Sequence, residues 1–133
     1  CMFVVTAPEQ YDTVVTSNMF GDIFTDLCAA LVGGLGLAAS GKLHPGKVSL
    51  FESIHGSAPQ FAGQNRANPL ATIMAVSMML DYLGEGAAAT RIEGAVVRRL
   101  RSRTLPKLGM DSGFGTDRGG ALVVAELEAA AGR

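Results

Sequence analysis

The chain has 133 residues, with 11 Lys plus Arg against 12 Asp plus Glu and a formal net charge of −1, the length of one ordinary domain or of a piece of a larger protein. Hydrophobic residues make up 48% and charged residues 17%, which argues against a disordered chain, and with no basic excess outside Arg98, Arg99, Arg101 and Arg103 nucleic acid is a poor partner. Apolar runs are interrupted, as at Thr72 and Ser77, before the roughly 18 residues that a membrane span needs. Cys1 and Cys28, neither in a CxxC, suit a reducing, cytoplasmic interior rather than a disulfide framework. No signal peptide is visible, and Cys1 precedes Met2, so an N-terminal part of a longer protein is expected ahead of it.

Residues 2–5 are apolar and stop at Thr6, Ala7 and Pro8. Residues 11–16 are rich in β-branched side chains and read as a buried strand. Ile23, Leu27 and Leu31 recur at helical spacing and predict a helix from about Asp22 that stops at Val32, Gly33 and Gly34. Residues 37–47, with Gly41, Pro45 and Gly46, read as loop, and residues 48–52 as a second strand. Residues 53–67 form a loop long enough to suggest a use. Asn68 and Pro69 mark a helix start. That helix, to about Leu83, is apolar nearly all round, which predicts burial, with Met78 and Met79 as core filler. Beyond Gly84 and Gly86, Ile92, Val96 and Leu100 mark one face of an amphipathic helix whose other face carries Arg91, Glu93, Arg98 and Arg99. A glycine-rich loop over residues 109–120 leads to a short helix, about residues 121–130, that buries Leu122, Val123 and Leu127. The mixture of strands and helices is α/β.

Four features could carry chemistry. Asp22 and Asp26 lie one turn apart and share a helix face. Such a pair holds a hard cation, Mg²⁺ or Mn²⁺, or else compensates the helix dipole; the flanking Ile23, Phe24 and Leu27 weigh somewhat towards the first. Residues 34–39, GLGLAA, match GxGxxA but follow a helix and open a loop, so the dinucleotide fingerprint is rejected. His55, beside Gly56, stands where the second strand ends, the edge at which α/β sheets bind ligands; it is either a ligand contact or a surface-loop histidine, whereas His44 lies in a Pro/Gly turn and is expected to be exposed. Residues 113–120 precede a helix and could cradle an anion, but they lack the GK[ST] ending of a P-loop and read better as plain loop.

The string YDTVVTSNMFGDIFTD, residues 11–26, resembles the metal-binding signature of the β-decarboxylating dehydrogenases, the family of isocitrate and isopropylmalate dehydrogenases. FESIHGSAP, residues 51–59, with AG at 62–63 and ANP at 67–69, resembles that family's cofactor loop. The likeness runs in order through about residue 83, with a weaker tail to the end. It implies an oxidoreductase for the metal- and NAD(P)-dependent oxidative decarboxylation of a 2-hydroxy acid with a β-carboxylate. The expected substrate is 3-isopropylmalate, of leucine biosynthesis, with isocitrate, homoisocitrate, tartrate or malate as alternatives and a non-catalytic partner subunit as the alternative of another class. It also implies the C-terminal part of a two-domain α/β fold that is not Rossmann. Residues 1–33 would end the second domain, which binds metal and substrate and forms the dimer; residues 34–133 would be the returning half of the first, cofactor-binding domain, the N-terminal part being absent.

On the same resemblance, Asp22 and Asp26 are ligands of Mg²⁺ or Mn²⁺, joined by an upstream aspartate of the neighbouring subunit. Glu52 lies near the nicotinamide end of the cofactor, and His55, Gly56, Ser57, Ala58 and Asn68 hold the adenosine end. The family's catalytic tyrosine and lysine and its substrate arginines belong upstream, so no catalytic residue is expected here and the chain alone is expected to be inactive. Neither Tyr11, Tyr82 nor the arginines of residues 98–103 replace them. The implied partners are a small-molecule substrate and a second copy, a homodimer. Two departures stand out. Ser53 follows Glu52 where proline is usual, a change expected to loosen the turn. Gln60 and Phe61 stand where NAD-using members often have aspartate and NADP-using members Lys-Tyr. NAD is the expected cofactor and NADP a possible one, since Arg66 is the nearby cation that could reach a 2′-phosphate.

Overall fold

The structure, a computed structural model, describes residues 1–105 and 107–132. In chain order these form α1 (Met2–Thr6), α2 (Asn18–Leu31), β1 (Ala39–Lys42), β2 (Leu50–Ser53), α3 (Leu70–Tyr82), α4 (Gly86–Arg101) and α5 (Thr116–Ala131), with 3-10 turns at Pro8–Gln10 and Pro59–Phe61. The chain is therefore mixed α/β. Asn68 starts α3 as its composition predicts: its Oδ1 accepts the Leu70 N–H at 3.1 Å. Small side chains then let α3 and α4 approach closely, with Ala71, Ala75, Ala89 and Ala95 all buried, and Ser77 Oγ donates across the contact to the Ala89 carbonyl oxygen at 2.9 Å. Leu70, Ala95, Val96 and Val123 form the buried core, with Leu37, Ile73, Met74, Leu100, Leu105 and Leu127 packed around it. β1 and β2 pair antiparallel, Ala39 opposite Ser53 and Lys42 opposite Leu50, and the ribbon packs on α3.

Several expectations need correction. Residues 11–16 are not a buried strand: each is exposed, Val15 to 94%. A strand needs a neighbour for its N–H and C=O groups, and among the described residues β1 and β2 pair only with each other. Residues 37–47 are not all loop, because β1 lies within them; Ser40 and Gly41 are weak strand formers, and pairing with β2 overrides that. The second strand is β2, shifted to Leu50–Ser53, with Val48 and Leu50 exposed. α2 begins at Asn18 rather than Asp22, its glycine absorbed into the helix by the Gly21 N–H bond to Ser17 O, 2.8 Å. α3 is not buried all round: Thr72, Val76 and Met78 are exposed. α5 begins at Thr116, five residues earlier than the glycines suggest. Gly119 is there because a Cβ would come within 2.9 Å of Pro69 Cγ, not because the backbone turns. Arg98 and Arg99 are not a solvated face but clamp α4 to α5: Arg98 Nε bonds Glu126 Oε2 at 3.0 Å, and Arg99 Nε donates to Leu122 O at 3.1 Å.

Candidate functional site

α2 carries Asp22 and Asp26 to the rim of an open cleft of about 600 Å³, and β1 and β2 bring Lys42 and Glu52 to the same cleft. Both aspartates are exposed. Lys42 Nζ stands 3.2 Å from Glu52 Oε1, and it is the one cation among the residues lining the cleft, against three carboxylates. Because α2 begins at Asn18, its first turn holds no acid. Dipole compensation fades within the first turn, so it does not account for Asp22 and Asp26. The burial argument from their neighbours does not hold either, since Ile23 is 63% exposed. Among the described residues no group of three or more His, Cys, Asp or Glu is placed to hold a metal. The pair nevertheless suits Mg²⁺, which takes one or two carboxylates and completes its shell with water or substrate oxygens.

The loop after β2 builds a second depression, of about 580 Å³, lined by His55, Gly56, Ser57 and Ala58 and walled mainly by apolar side chains of α3, α4 and α5. Gly56 and Ala58 both take left-handed backbone conformations, φ 62° and 44°, which fold the loop back on itself. Ser53 is tied into this turn: its carbonyl accepts the Gly56 N–H at 3.0 Å, a bond that proline would make too, and its buried hydroxyl donates to Gly56 O at 3.3 Å, a bond that proline could not make. His55 is half-buried, with Nδ1 3.0 Å from Gly56 O, and its Nε2 is buried without a hydrogen-bond partner. A buried polar atom left unpaired is costly, and this one lies beside the depression.

The residues suggested for the cofactor thus separate. Glu52 belongs to the aspartate cleft; His55, Gly56, Ser57, Ala58 and Asn68 line the second depression; Gln60 lies on the exposed turn Pro59–Phe61 and lines neither. Asn68 is 3% exposed, and its carboxamide is already engaged, donating to Gly109 O at 3.2 Å and accepting from Leu70. Arg66 is engaged too: it pairs with Asp111 and stacks 5.7 Å from the Phe61 ring centroid. Asp111 in turn is held below the ordinary carboxylate range by the Gly113 N–H and by Arg66. The suggested anion cradle ahead of α5 is filled by protein. Asn65 takes the Asp117 N–H, and Asp117 Oδ1 takes the Arg118 N–H, and the plain-loop reading of residues 113–120 fits only 113–115, since 116–120 are the first turns of α5. His44 is exposed, as expected. Lys42 escaped sequence reasoning because only the β1–β2 register places it beside Glu52.

A family model described as isocitrate/isopropylmalate dehydrogenase matches residues 1–114. Over 104 residues the chain is 55% identical to a 3-isopropylmalate dehydrogenase of Thermobifida fusca, a match that covers 77% of this chain and 29% of that protein. It superposes on an isocitrate dehydrogenase from Methylococcus capsulatus with a TM-score of 0.84 and 39% identity, covering 95% of this chain and 38% of that one. A β-decarboxylating dehydrogenase from Thermococcus kodakarensis gives a TM-score of 0.78 and 32% identity over 96% of this chain and 37% of its own. The chain spans about three-tenths of the length of the curated relatives it matches.

Proposed function

The chain belongs to the isocitrate/isopropylmalate dehydrogenase family, and from that premise we propose that it serves a metal- and NAD(P)-dependent oxidative decarboxylase whose substrate is 3-isopropylmalate. The observation that carries this reading is the one open cleft that Asp22 and Asp26 of α2 line together with Glu52 of β2. Asp22 and Asp26 would hold Mg²⁺ or Mn²⁺. When bound, that cation would supply Lewis-acid polarisation of the substrate oxygens, and NAD(P) would supply the hydride acceptor. Glu52 would stand towards the nicotinamide, and the Lys42 ammonium 3.2 Å away pairs with its carboxylate. His55, Gly56, Ser57 and Ala58 would form the adenosine end, and the unpartnered His55 Nε2 supports that placement because a ligand there would supply its missing bond. With its amide spent on Gly109 and Leu70, Asn68 would act by fixing the depression's rim rather than by gripping the nucleotide.

The division at residues 33 and 34 is part of the same proposal. All four members of the core cluster come after it, Ala29 is the one buried apolar side chain before it among the described residues, and Gly33 and Gly34, φ 117° and 108°, turn the chain at the junction. Residues 1–33 would then close a second, dimer-forming domain and residues 34–133 would be the returning, C-terminal half of a first domain that is not Rossmann. Residues 34–39 agree with this, since they lead from α2 into β1 rather than from a strand into a helix. The exposed Met19, Phe20, Ile23 and Leu31 of α2 support a homodimer. A cytoplasmic location accords with the free cysteines, and no described helix is long and apolar enough to cross a membrane.

The test is turnover by the complete protein. NADH formation from 3-isopropylmalate with Mn²⁺, abolished by chelation and by Asp22→Asn, supports the reading. Turnover of isocitrate, homoisocitrate or tartrate instead would reassign the substrate, and binding without turnover would indicate a non-catalytic subunit.

A further inference from the structure

The arginines at the end of α4 form a cluster that the proposed dehydrogenase chemistry does not use. Arg99, Arg103, Thr104, Phe114, Arg118 and Leu122 line a cleft of about 390 Å³ between the α4 C-terminus and the first turns of α5. No acidic residue lines it. A single carboxylate, Glu126, serves both Arg98 and Arg99, and neither Arg103 nor Arg118 has an acidic partner among the described residues. The cleft therefore concentrates positive charge on a chain whose net charge is −1.

Two of its three guanidinium groups are also held in place. Arg99 is fixed by the Leu122 carbonyl at 3.1 Å and by Glu126 at 3.3 Å. Arg118 is held over the Phe114 ring, 5.8 Å from its centroid. Arg103 occupies the left-handed position just past the C-cap of α4, φ 53°, where glycine or asparagine is the usual choice. The Thr104 hydroxyl, 3.0 Å from Ser102 Oγ, adds a polar group that can donate or accept. Planar guanidinium forks held in place match the oxygens of a phosphoryl group two at a time, and a fixed fork loses less freedom on binding than a mobile lysine.

We propose that this cleft binds a small, multiply charged phosphate anion, of the class that inorganic pyrophosphate represents, at a site distinct from the cleft of Asp22 and Glu52.

Titration calorimetry of the complete protein with pyrophosphate, at constant ionic strength, tests it in three forms. The unaltered protein is expected to bind; Arg103→Ala/Arg118→Ala is expected to weaken binding at least about tenfold; Arg91→Ala/Arg101→Ala, which removes the same charge from exposed positions outside the cleft, is expected to leave affinity within about twofold. Equal losses in the two double variants would reduce the effect to general charge and overturn the assignment. Binding unchanged in Arg103→Ala/Arg118→Ala, or no binding to the unaltered protein at millimolar pyrophosphate, would overturn it as well. Arg103→Lys/Arg118→Lys, which keeps the charge and the fold but removes the forks, is expected to restore only part of the affinity, and full restoration would refute the bidentate geometry. None of these outcomes depends on dehydrogenase activity, which is measured separately with 3-isopropylmalate.

Discussion

Asn65 and Asp117 hold each other across 52 residues: Asn65 Nδ2 donates to Asp117 Oδ1 at 2.8 Å, and the Asp117 N–H donates back to Asn65 Oδ1 at 3.1 Å. The Thr116 N–H adds a bond to Asn65 O at 3.0 Å. The start of α5 is thus capped by a residue of the His55 loop, and the loop is anchored in return. Asn65→Ala is expected to cost about 1–2 kcal/mol, through the lost cap and through the left-handed backbone at φ 52°, which alanine tolerates poorly. Chemical denaturation measures this directly; an unaltered midpoint would show that the loop and helix hold together without the pair.

Acid should loosen the same corner. Asp117 is held below its ordinary 3.8 by the Asn65 amide first and then by the Arg118 N–H. Asp111 is held below 3.8 by the Gly113 N–H and then by Arg66. A carboxyl with a lowered folded pKa binds fewer protons folded than unfolded, so its contribution is complete above the unfolded value and is lost as pH falls through the folded one. The Asp111→Asn/Asp117→Asn variant is expected to lose less stability than the parent between about pH 5 and pH 3. Parallel stability–pH curves would rule this out.

Gly36 is buried, and a Cβ there would run into the carbonyl oxygens of Leu108 and Gly109. Neither is a flexible side-chain end, so Gly36→Ala is expected to destabilise by at least ~2 kcal/mol. Gly46→Ala serves as the control for backbone freedom alone, because no atom lies within 4 Å of its added Cβ and its φ is 71°. Thermal melts of the two variants should separate clearly, with Gly36→Ala the lower.

Arg66 is neutralised by Asp111 and stacked on Phe61, so it is poorly placed to reward a 2′-phosphate. In the complete enzyme NAD is expected to be preferred over NADP by about tenfold in kcat/KM, roughly 1.4 kcal/mol. Gln60→Asp should widen that ratio by repelling the phosphate. Arg66→Ala should leave it nearly unchanged; a collapse of NADP use in that variant would mean that the arginine leaves Asp111 to bind cofactor.

Asp22→Asn and Asp26→Asn are expected to lower activity and metal affinity by more than the roughly 10–100-fold that loss of an outer-shell partner costs. Stability should move by less than about 0.5 kcal/mol, as befits exposed positions. Metal-dependent kinetics beside a thermal melt separate the two effects. Near-normal metal dependence in both variants would remove these residues from the catalytic assignment.

The sequence by itself determined the features that rest on local chemistry. Asn68 and Pro69 start α3 within two residues of the expected place, Gly33 and Gly34 end α2, and Val96 and Val123 are core residues, because caps, positive φ and helical periodicity are properties of neighbouring residues. The motifs of residues 11–26 and 51–59 marked the family for the same reason. Tertiary structure alone decided what depends on partners far along the chain. β1 exists because β2 pairs with it, residues 11–16 form no strand and stay exposed because no described strand pairs with them, and α5 starts early because Asn65 caps it from another loop. Lys42 meets Glu52, and Arg66 is spent on Asp111, only once register and loop packing are set. Hydrogen bonds and charges act over a few ångströms of space, and separation along the chain does not report that distance.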